Sequence, residues 1–397
     1  MKRSLRISAV TPLALVALVT GTGAGFAATT TPRAAPVATH AFDAAPAAAA
    51  AAAPTRTFQG ALPAPTGPYA AGEDVIHLTD ENRPDPWVPS SGPRQLTVTM
   101  IYPAVPGTGT PAPYMTPAEA AGIIEHRHLP PSTGITPQTL SGVTTHAFDG
   151  ARPKRGTYPL VVLSPAYENP RMTLTSLATE LASHGYVVAL VGHTYEDFGE
   201  TLANGQTPSC AICNDPATID SIPASRALDV SFVIDRLTRG NTAWRLAHLI
   251  DKHRIGMAGH SIGGASAAAA MIADPRVRAG VNMDGTFKPA PAPGQVDRPF
   301  LMLGEADSDD DNWRQSWAAL GGYKKWLTVV GADHFSFTDL EVLQKQAGFP
   351  SPPLSPERGV VITREYVTAF FDQTLKGIHR PLLDGPSRDN PEVLFHR

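Results

Sequence analysis

Cysteine is nearly absent from this chain: its 397 residues include two, Cys210 and Cys213. Two thiols cannot complete a four-ligand zinc site. A redox role for the C-x-x-C spacing would need a strand entering a helix, which the loop Ser209-Cys-Ala-Ile-Cys-Asn-Asp215 does not offer. Charge is also scarce, at 17% of residues, with 32 basic against 36 acidic side chains. A mildly acidic surface repels phosphate backbones, so nucleic acid is not an expected partner. Missing too is any apolar run of the roughly 20 residues that a membrane span needs, so no stable membrane insertion is expected. What remains, 42% hydrophobic residues over this length, suits a globular enzyme with a large core.

The N-terminus reads as a secretory leader. Lys2, Arg3 and Arg6 precede an apolar run from Ala9 to Val19, and small residues follow up to Gly25-Phe26-Ala27. Residues 1–27 are therefore expected to be removed, which would change the formal charge from −4 to −7. Residues 28–55 are rich in Ala, Thr and Pro, with an alanine run bounded by Pro46 and Pro54 that is too short to overcome helix nucleation. They read as a disordered linker, with one folded domain over 56–397. Export to an oxidising compartment predicts a local Cys210–Cys213 disulfide that tightens one loop.

Within the domain, strand and helix patterns alternate. Strands are expected at Gln95 to Tyr102, Tyr158 to Leu163, Tyr186 to Val191, Ile255 to Ala258, Val277 to Met283, Pro299 to Leu303 and Trp326 to Val330. Between them, Leu174, Leu177 and Leu181 recur at helical spacing before Gly185. Leu228, Phe232 and Leu237 form a second stripe within Ser225 to Arg239, and a closing helix covers Thr363 to Leu375. Such alternation predicts a mainly parallel sheet with helices on both faces. The stretch from Pro111 to Gly156 is less regular and could overhang a site.

One motif carries chemistry. Gly259-His-Ser-Ile-Gly-Gly264 matches G-x-S-x-G and sits between the strand Ile255 to Ala258 and a run of small helix formers, Ala265 to Ala270. That strand-turn-helix setting is the nucleophile elbow of the α/β-hydrolase fold: the tight turn pushes the Ser261 hydroxyl into the cleft above the strands, and the flanking glycines let strand and helix approach. A serine hydroxyl needs an imidazole to take its proton. His334, in the loop after the late strand Trp326 to Val330, fits that role. His260 is expected to point away from Ser261 as a packing residue, and His184 and His193 read as structural. Two carboxylates compete to orient His334: Asp284 ends the strand Val277 to Met283, and Asp307 follows Pro299 to Leu303. Asp307 opens the run Asp307, Asp309, Asp310, Asp311, which reads as a solvated loop or, less simply, a calcium site.

The chain resembles the plasma-type platelet-activating-factor acetylhydrolases and their bacterial relatives over roughly residues 62–378. The resemblance rests on Thr66-Gly-Pro-Tyr69, Leu181-Ala-Ser-His-Gly-Tyr186, the Gly259–Gly264 elbow, Asn282-Met-Asp-Gly285 and Phe335-Ser-Phe-Thr-Asp339. In that family the acid follows the sixth strand of the fold rather than the seventh, which implies Asp284. It also implies that the backbone N–H groups of Tyr167 and Ile262 form the oxyanion site, although the loop here reads Ser164-Pro-Ala-Tyr167 with Ala166 where the family usually has glycine. Alanine disfavours positive φ.

The resemblance implies a cofactor-independent secreted serine hydrolase acting on small-molecule or lipid esters, either short-acyl esters or phospholipids. A cutinase-like lipase or polyester hydrolase is the nearest alternative, favoured by Asp307 as acid. An inactive hydrolase-fold binding protein is the alternative of another class.

Overall fold

The computed structural model describes residues 57–396, so the expected leader and the whole of the expected linker lie outside the described residues. Among these residues eleven strands form one sheet: β1 Ala70–Pro84, β2 Pro93–Ala104, β3 Thr110–Pro111, β4 Ala147–Asp149, β5 Tyr158–Ser164, β6 Val187–His193, β7 Ile250–His260, β8 Val277–Met283, β9 Phe300–Gly304, β10 Lys324–Val329 and β11 Val393–Phe395. The helices are α1 Pro117–His126, α2 Pro137–Ser141, α3 Thr175–Ser183, α4 Ile222–Thr238, α5 Ile262–Ala273, α6 Asp311–Ala319, α7 Leu340–Ala347 and α8 Pro356–Leu375. Among the described residues, no helix is long and apolar enough to cross a membrane.

The sheet order is β11-β10-β9-β8-β7-β5-β6-β2-β1-β4-β3. Its centre, β5 to β10, is parallel, while β2 and β11 join antiparallel at either side. This is the α/β-hydrolase fold. The central strands are apolar on both faces because helices cover both. On one face α4 and α5 bring Val233, Ile234, Leu237 and Met271 against the sheet. On the other, α3 and α8 bring Leu177, Leu181, Phe370 and Phe371, each such side chain contributing about 1.5–3 kcal/mol through burial.

Two expectations need correction. Leu228 is 53% exposed; the buried stripe of α4 is instead Val230, Val233, Ile234 and Leu237. The stretch from Pro111 to Gly156 is more regular than its sequence suggested. Thr116 and Thr136 close capping boxes that start α1 and α2, and these helices pack with Phe58, Leu62, Met172 and Leu343 in a small core of their own.

The topology also fixes where a site can form. After β5 the chain builds β6 on one side, then returns through α4 to place β7 on the other. The carboxyl ends of β5 and β7 therefore diverge to a switch point, where open α/β sheets bind ligands. There Ser164 pairs with Gly259, His260 with Met283, and Met283 with Leu303. The loops after β5, β7, β8 and β9 thus share one edge.

Candidate active site

Ser261 lies between β7 and α5 with φ 55° and ψ −125°, a conformation that costs a non-glycine residue on the order of 1–3 kcal/mol. Its surroundings hold it there. Its N–H donates to Met283 O at 2.8 Å, and its own carbonyl accepts from Gly264 and Ala265. The flanking glycines are required by close approach: a Cβ on Gly259 would sit 2.2 Å from the Gly263 backbone, and one on Gly263 would sit 2.1 Å from Ser164 O. The elbow is thereby pressed against the loop that follows β5.

Asp284 follows β8 in the left-handed region, with φ 59°. It is buried, and its carboxylate is fully engaged. Oδ2 accepts from His334 Nδ1 at 2.5 Å, while Oδ1 accepts from the Glu305 N–H at 2.8 Å and from Ser308 Oγ at 2.5 Å. Burial alone would raise its pKa, but the bonds from His334, Ser308 and the Glu305 N–H outweigh burial and hold it below the usual carboxylate range. For His334 burial disfavours the charged ring, yet the bond and charge of Asp284, with Glu305 and Asp333 nearby, raise its pKa above the ordinary imidazole value. The His334 side chain is 38% exposed, so a solute can reach it. Since Nδ1 is committed to Asp284, Nε2 is the nitrogen left to take a proton.

His260, expected as a packing residue, lies against the rings of His334 and Phe335. Its Nε2–H donates to the His334 carbonyl at 2.6 Å, and the two rings lie 4.7 Å apart. Burial, assisted by the charge of His334, pushes its pKa down to about 3, so it serves as a neutral prop under the His334 main chain. Asp307 does not reach His334. It lies exposed on the turn Ala306–Ser308, while its neighbours in the acidic run take surface roles: Asp309 pairs with Arg314, and Asp310 caps α6 by accepting from the Trp313 N–H. Ser308 and the Glu305 N–H had no sequence signal as partners of Asp284, because only the bend after β9 brings them there.

The loop Ser164–Tyr167 is ordered without a glycine. The left-handed residue is the one that follows it, Glu168 at φ 62°, and not Ala166. Neither the Tyr167 nor the Ile262 N–H donates to another described residue. The Tyr167 hydroxyl donates to Ile212 O at 2.6 Å, tying this loop to the Cys210–Cys213 disulfide. Beneath the loop, His193 at the end of β6 is buried against Asp229 and Ser164, and His184 bonds Glu180 from the surface of α3.

Among the described residues, two groups bring ligand-type atoms within 4.8 Å of one another: Asp284, Glu305 and His334, and His193, Glu196 and Asp229. In the second, the guanidinium groups of Arg94 and Arg226 already neutralise the carboxylates. In the first, Asp284 and the His334 Nδ1 are satisfied by each other and by Ser308 and the Glu305 N–H. The second is complete as a hydrogen-bonded unit, while in the first the Glu305 carboxyl adds its charge beside the bonded pair.

The model of the family described as platelet-activating factor acetylhydrolase, isoform II, matches residues 133–206 and 231–347. These segments contain the elbow, Asp284 and His334. The chain is 38% identical to a solved ferulic acid esterase from Streptomyces cinnamoneus, with a TM-score of 0.76 over 85% of this chain and 99% of that one. The chain belongs to the platelet-activating factor acetylhydrolase isoform II family. Within that family it is 26% identical to a probable 1-alkyl-2-acetylglycerophosphocholine esterase of Arthroderma benhamiae, over 84% of this chain and 93% of the relative. A platelet-activating factor acetylhydrolase of Cavia porcellus is 22% identical over 46% of this chain and 48% of its own. As a member of this esterase family, the protein is a carboxylic ester hydrolase.

Proposed function

We propose that this acetylhydrolase-family protein cleaves its ester through an acyl-enzyme, with Ser261 as nucleophile, His334 as base and Asp284 as the orienting acid. The observation that carries this reading is the 2.5 Å bond from His334 Nδ1 to a buried Asp284, set on the same sheet edge as the strained elbow of Ser261. In this scheme Ser261 Oγ attacks the ester carbonyl as His334 Nε2 takes its proton. The N–H groups of Tyr167 and Ile262 bind the oxyanion, and His334 returns the proton to the leaving alcohol. Water, activated by the same imidazole, then releases the acid. Every step uses groups of this chain.

For substrate we propose a short-acyl ester or a phospholipid with a short acyl chain, supported by the acetylglycerophosphocholine esterase relative. A second reading, an aromatic acyl ester, is favoured by the ferulic acid esterase and by Trp87 and Tyr167, which pack with Ile212, Ile262 and Ala265 beside the proposed oxyanion donors. The pairing of His334 with Asp284 leaves the cutinase-like reading without the Asp307 acid that favoured it. Export is part of the proposal, supported by the disulfide.

The test is covalent labelling with a fluorophosphonate, followed by hydrolysis of acetyl, butyryl and feruloyl esters and a 2-acetyl phospholipid. Labelling at Ser261, lost in a folded Ser261→Ala variant along with turnover, is the expected outcome. Unlabelled folded protein without activity would support the inactive binding protein instead. Preference for feruloyl over acetyl esters would favour the second substrate.

A further inference from the structure

A loop that offers a backbone N–H to an oxyanion must be rigid, because such donors work by being in position before charge develops. The segment Pro165–Glu168, which leaves β5 at Ser164, has no glycine, no helix or strand of its own and a non-glycine residue at positive φ. What fixes it lies underneath. Arg226 of α4 is 1% exposed. Its Nη1 donates to Ser164 Oγ at 3.1 Å and to Pro165 O at 2.5 Å, and its Nε donates to Glu196 Oε2 at 2.7 Å. The Glu196 carbonyl in turn accepts from the Glu168 N–H at 3.1 Å. One guanidinium and its carboxylate partner therefore hold both ends of the short peptide that carries Tyr167.

Behind this clamp the bonds close into a ring. Glu196 Oε1 accepts from Arg94 Nη2 at 3.2 Å, and the same nitrogen donates to Asp229 Oδ2 at 2.8 Å. Asp229 accepts from His193 Nδ1 at 2.8 Å, and His193 Nε2 meets Ser164 Oγ at 3.0 Å. Since Asp229 requires the proton on Nδ1, Nε2 accepts from the Ser164 hydroxyl, whose lone pair accepts from Arg226. Every polar atom in the circuit has a direction. Ser164, His193 and Asp229 repeat the order serine, histidine, carboxylate, but each is at most 1% exposed. No substrate reaches Ser164, so this second chain supports the loop and performs no acyl transfer.

The geometry points to Arg226 as a positioning residue that clamps the Ser164–Glu168 loop so that the Tyr167 N–H is held toward the developing oxyanion. This rests on the proposal above that Tyr167 is an oxyanion donor. Arg226→Lys keeps a cation beside Glu196 but cannot span Glu196, Ser164 and Pro165 together. Ser164→Ala opens the ring by removing only one hydroxyl.

The experiment compares both variants with the parent in kcat and KM on a soluble acetyl ester, in affinity for an arylboronic acid that forms a tetrahedral adduct, and in circular dichroism. Expected for Arg226→Lys is a fall in kcat of about ten- to a hundredfold with KM within about threefold, and a comparable weakening of the boronate, in a folded protein. For Ser164→Ala the expected fall in kcat is about three- to tenfold, again without a matching change in KM, and this variant carries the test if Arg226→Lys does not fold. Parent-like kcat in a folded variant, or a loss that appears only in KM, overturns the clamp. Fluorophosphonate labelling of the parent separates the two ideas: no label at Ser261 removes the catalytic proposal itself, whereas a labelled parent with parent-like variants removes only the clamp.

Discussion

His334 and Asp284 lie 50 residues apart in the chain, yet Nδ1 and Oδ2 meet at 2.5 Å because β8 and β10 end at the same edge of the sheet. The bond fixes the ring tautomer and leaves Nε2 for proton transfer.

Asp284→Asn should therefore lower kcat by at least about a hundredfold, since an amide can turn its nitrogen toward Nδ1 and favour the wrong tautomer; in a serine protease the same exchange costs about 10⁴-fold. Asp307→Asn should cost less than about tenfold, because Asp307 is exposed on its turn and outside the His334 bond. Both variants are to be compared in kcat at matched circular dichroism. A crippled Asp307 variant beside a near-normal Asp284 variant would move the acid to the loop after β9.

Residues that act through local pattern were legible in the sequence, and those that act through distant packing were not. The elbow could be read because Gly259, Ser261 and Gly263 sit between a strand and a helix whose own composition announces them. Asp284 could not be separated from Asp307 by residue type, since both follow strands; the family resemblance favoured Asp284, and the structure gives that residue the bond to His334. Arg226 and Glu196 carried no signal, because the contact with Ser164 spans 62 residues and depends on α4 docking under β5. The long strand β1 was unexpected: Glu73 and Asp74 interrupt its apolar alternation, as suits a strand near the end of a sheet. In the stretch after Pro111, Thr116 and Glu119 did carry a capping-box signal that outweighed the irregular composition.

The corrected face of α4 has a stability consequence. Ile234→Ala removes a fully buried side chain from the sheet-facing core and should cost about 2–5 kcal/mol, whereas Leu228→Ala, at an exposed position, should stay within about 0.5 kcal/mol of the parent. Denaturant unfolding of the two variants checks this. Equal losses would return Leu228 to the buried stripe that its spacing first suggested.

The pH dependence of turnover probes the charges around His334. A base must be neutral, so activity should rise with pH through the His334 ionisation, and its raised pKa puts the midpoint above the ordinary imidazole value of 6.5. Glu305 complicates the rise. Burial first, then the charge of Asp284, pushes its carboxyl up to about 7, so it ionises near neutral pH and not in the usual carboxylate range. As Glu305 becomes anionic it strengthens the hold on that proton, which stretches the ascending limb over more than one simple titration. Glu305→Gln removes this charge and keeps the shape. The variant's limb should move to lower pH and steepen toward a single ionisation, making it more active than the parent at about pH 7 to 7.5, where Glu305 is ionised in the parent, and equal within about twofold near pH 8.5. Measuring kcat/KM on a soluble ester from pH 5 to 9 checks both features. A variant profile that superimposes on the parent's would mean that the Glu305 charge does not act on the catalytic imidazole.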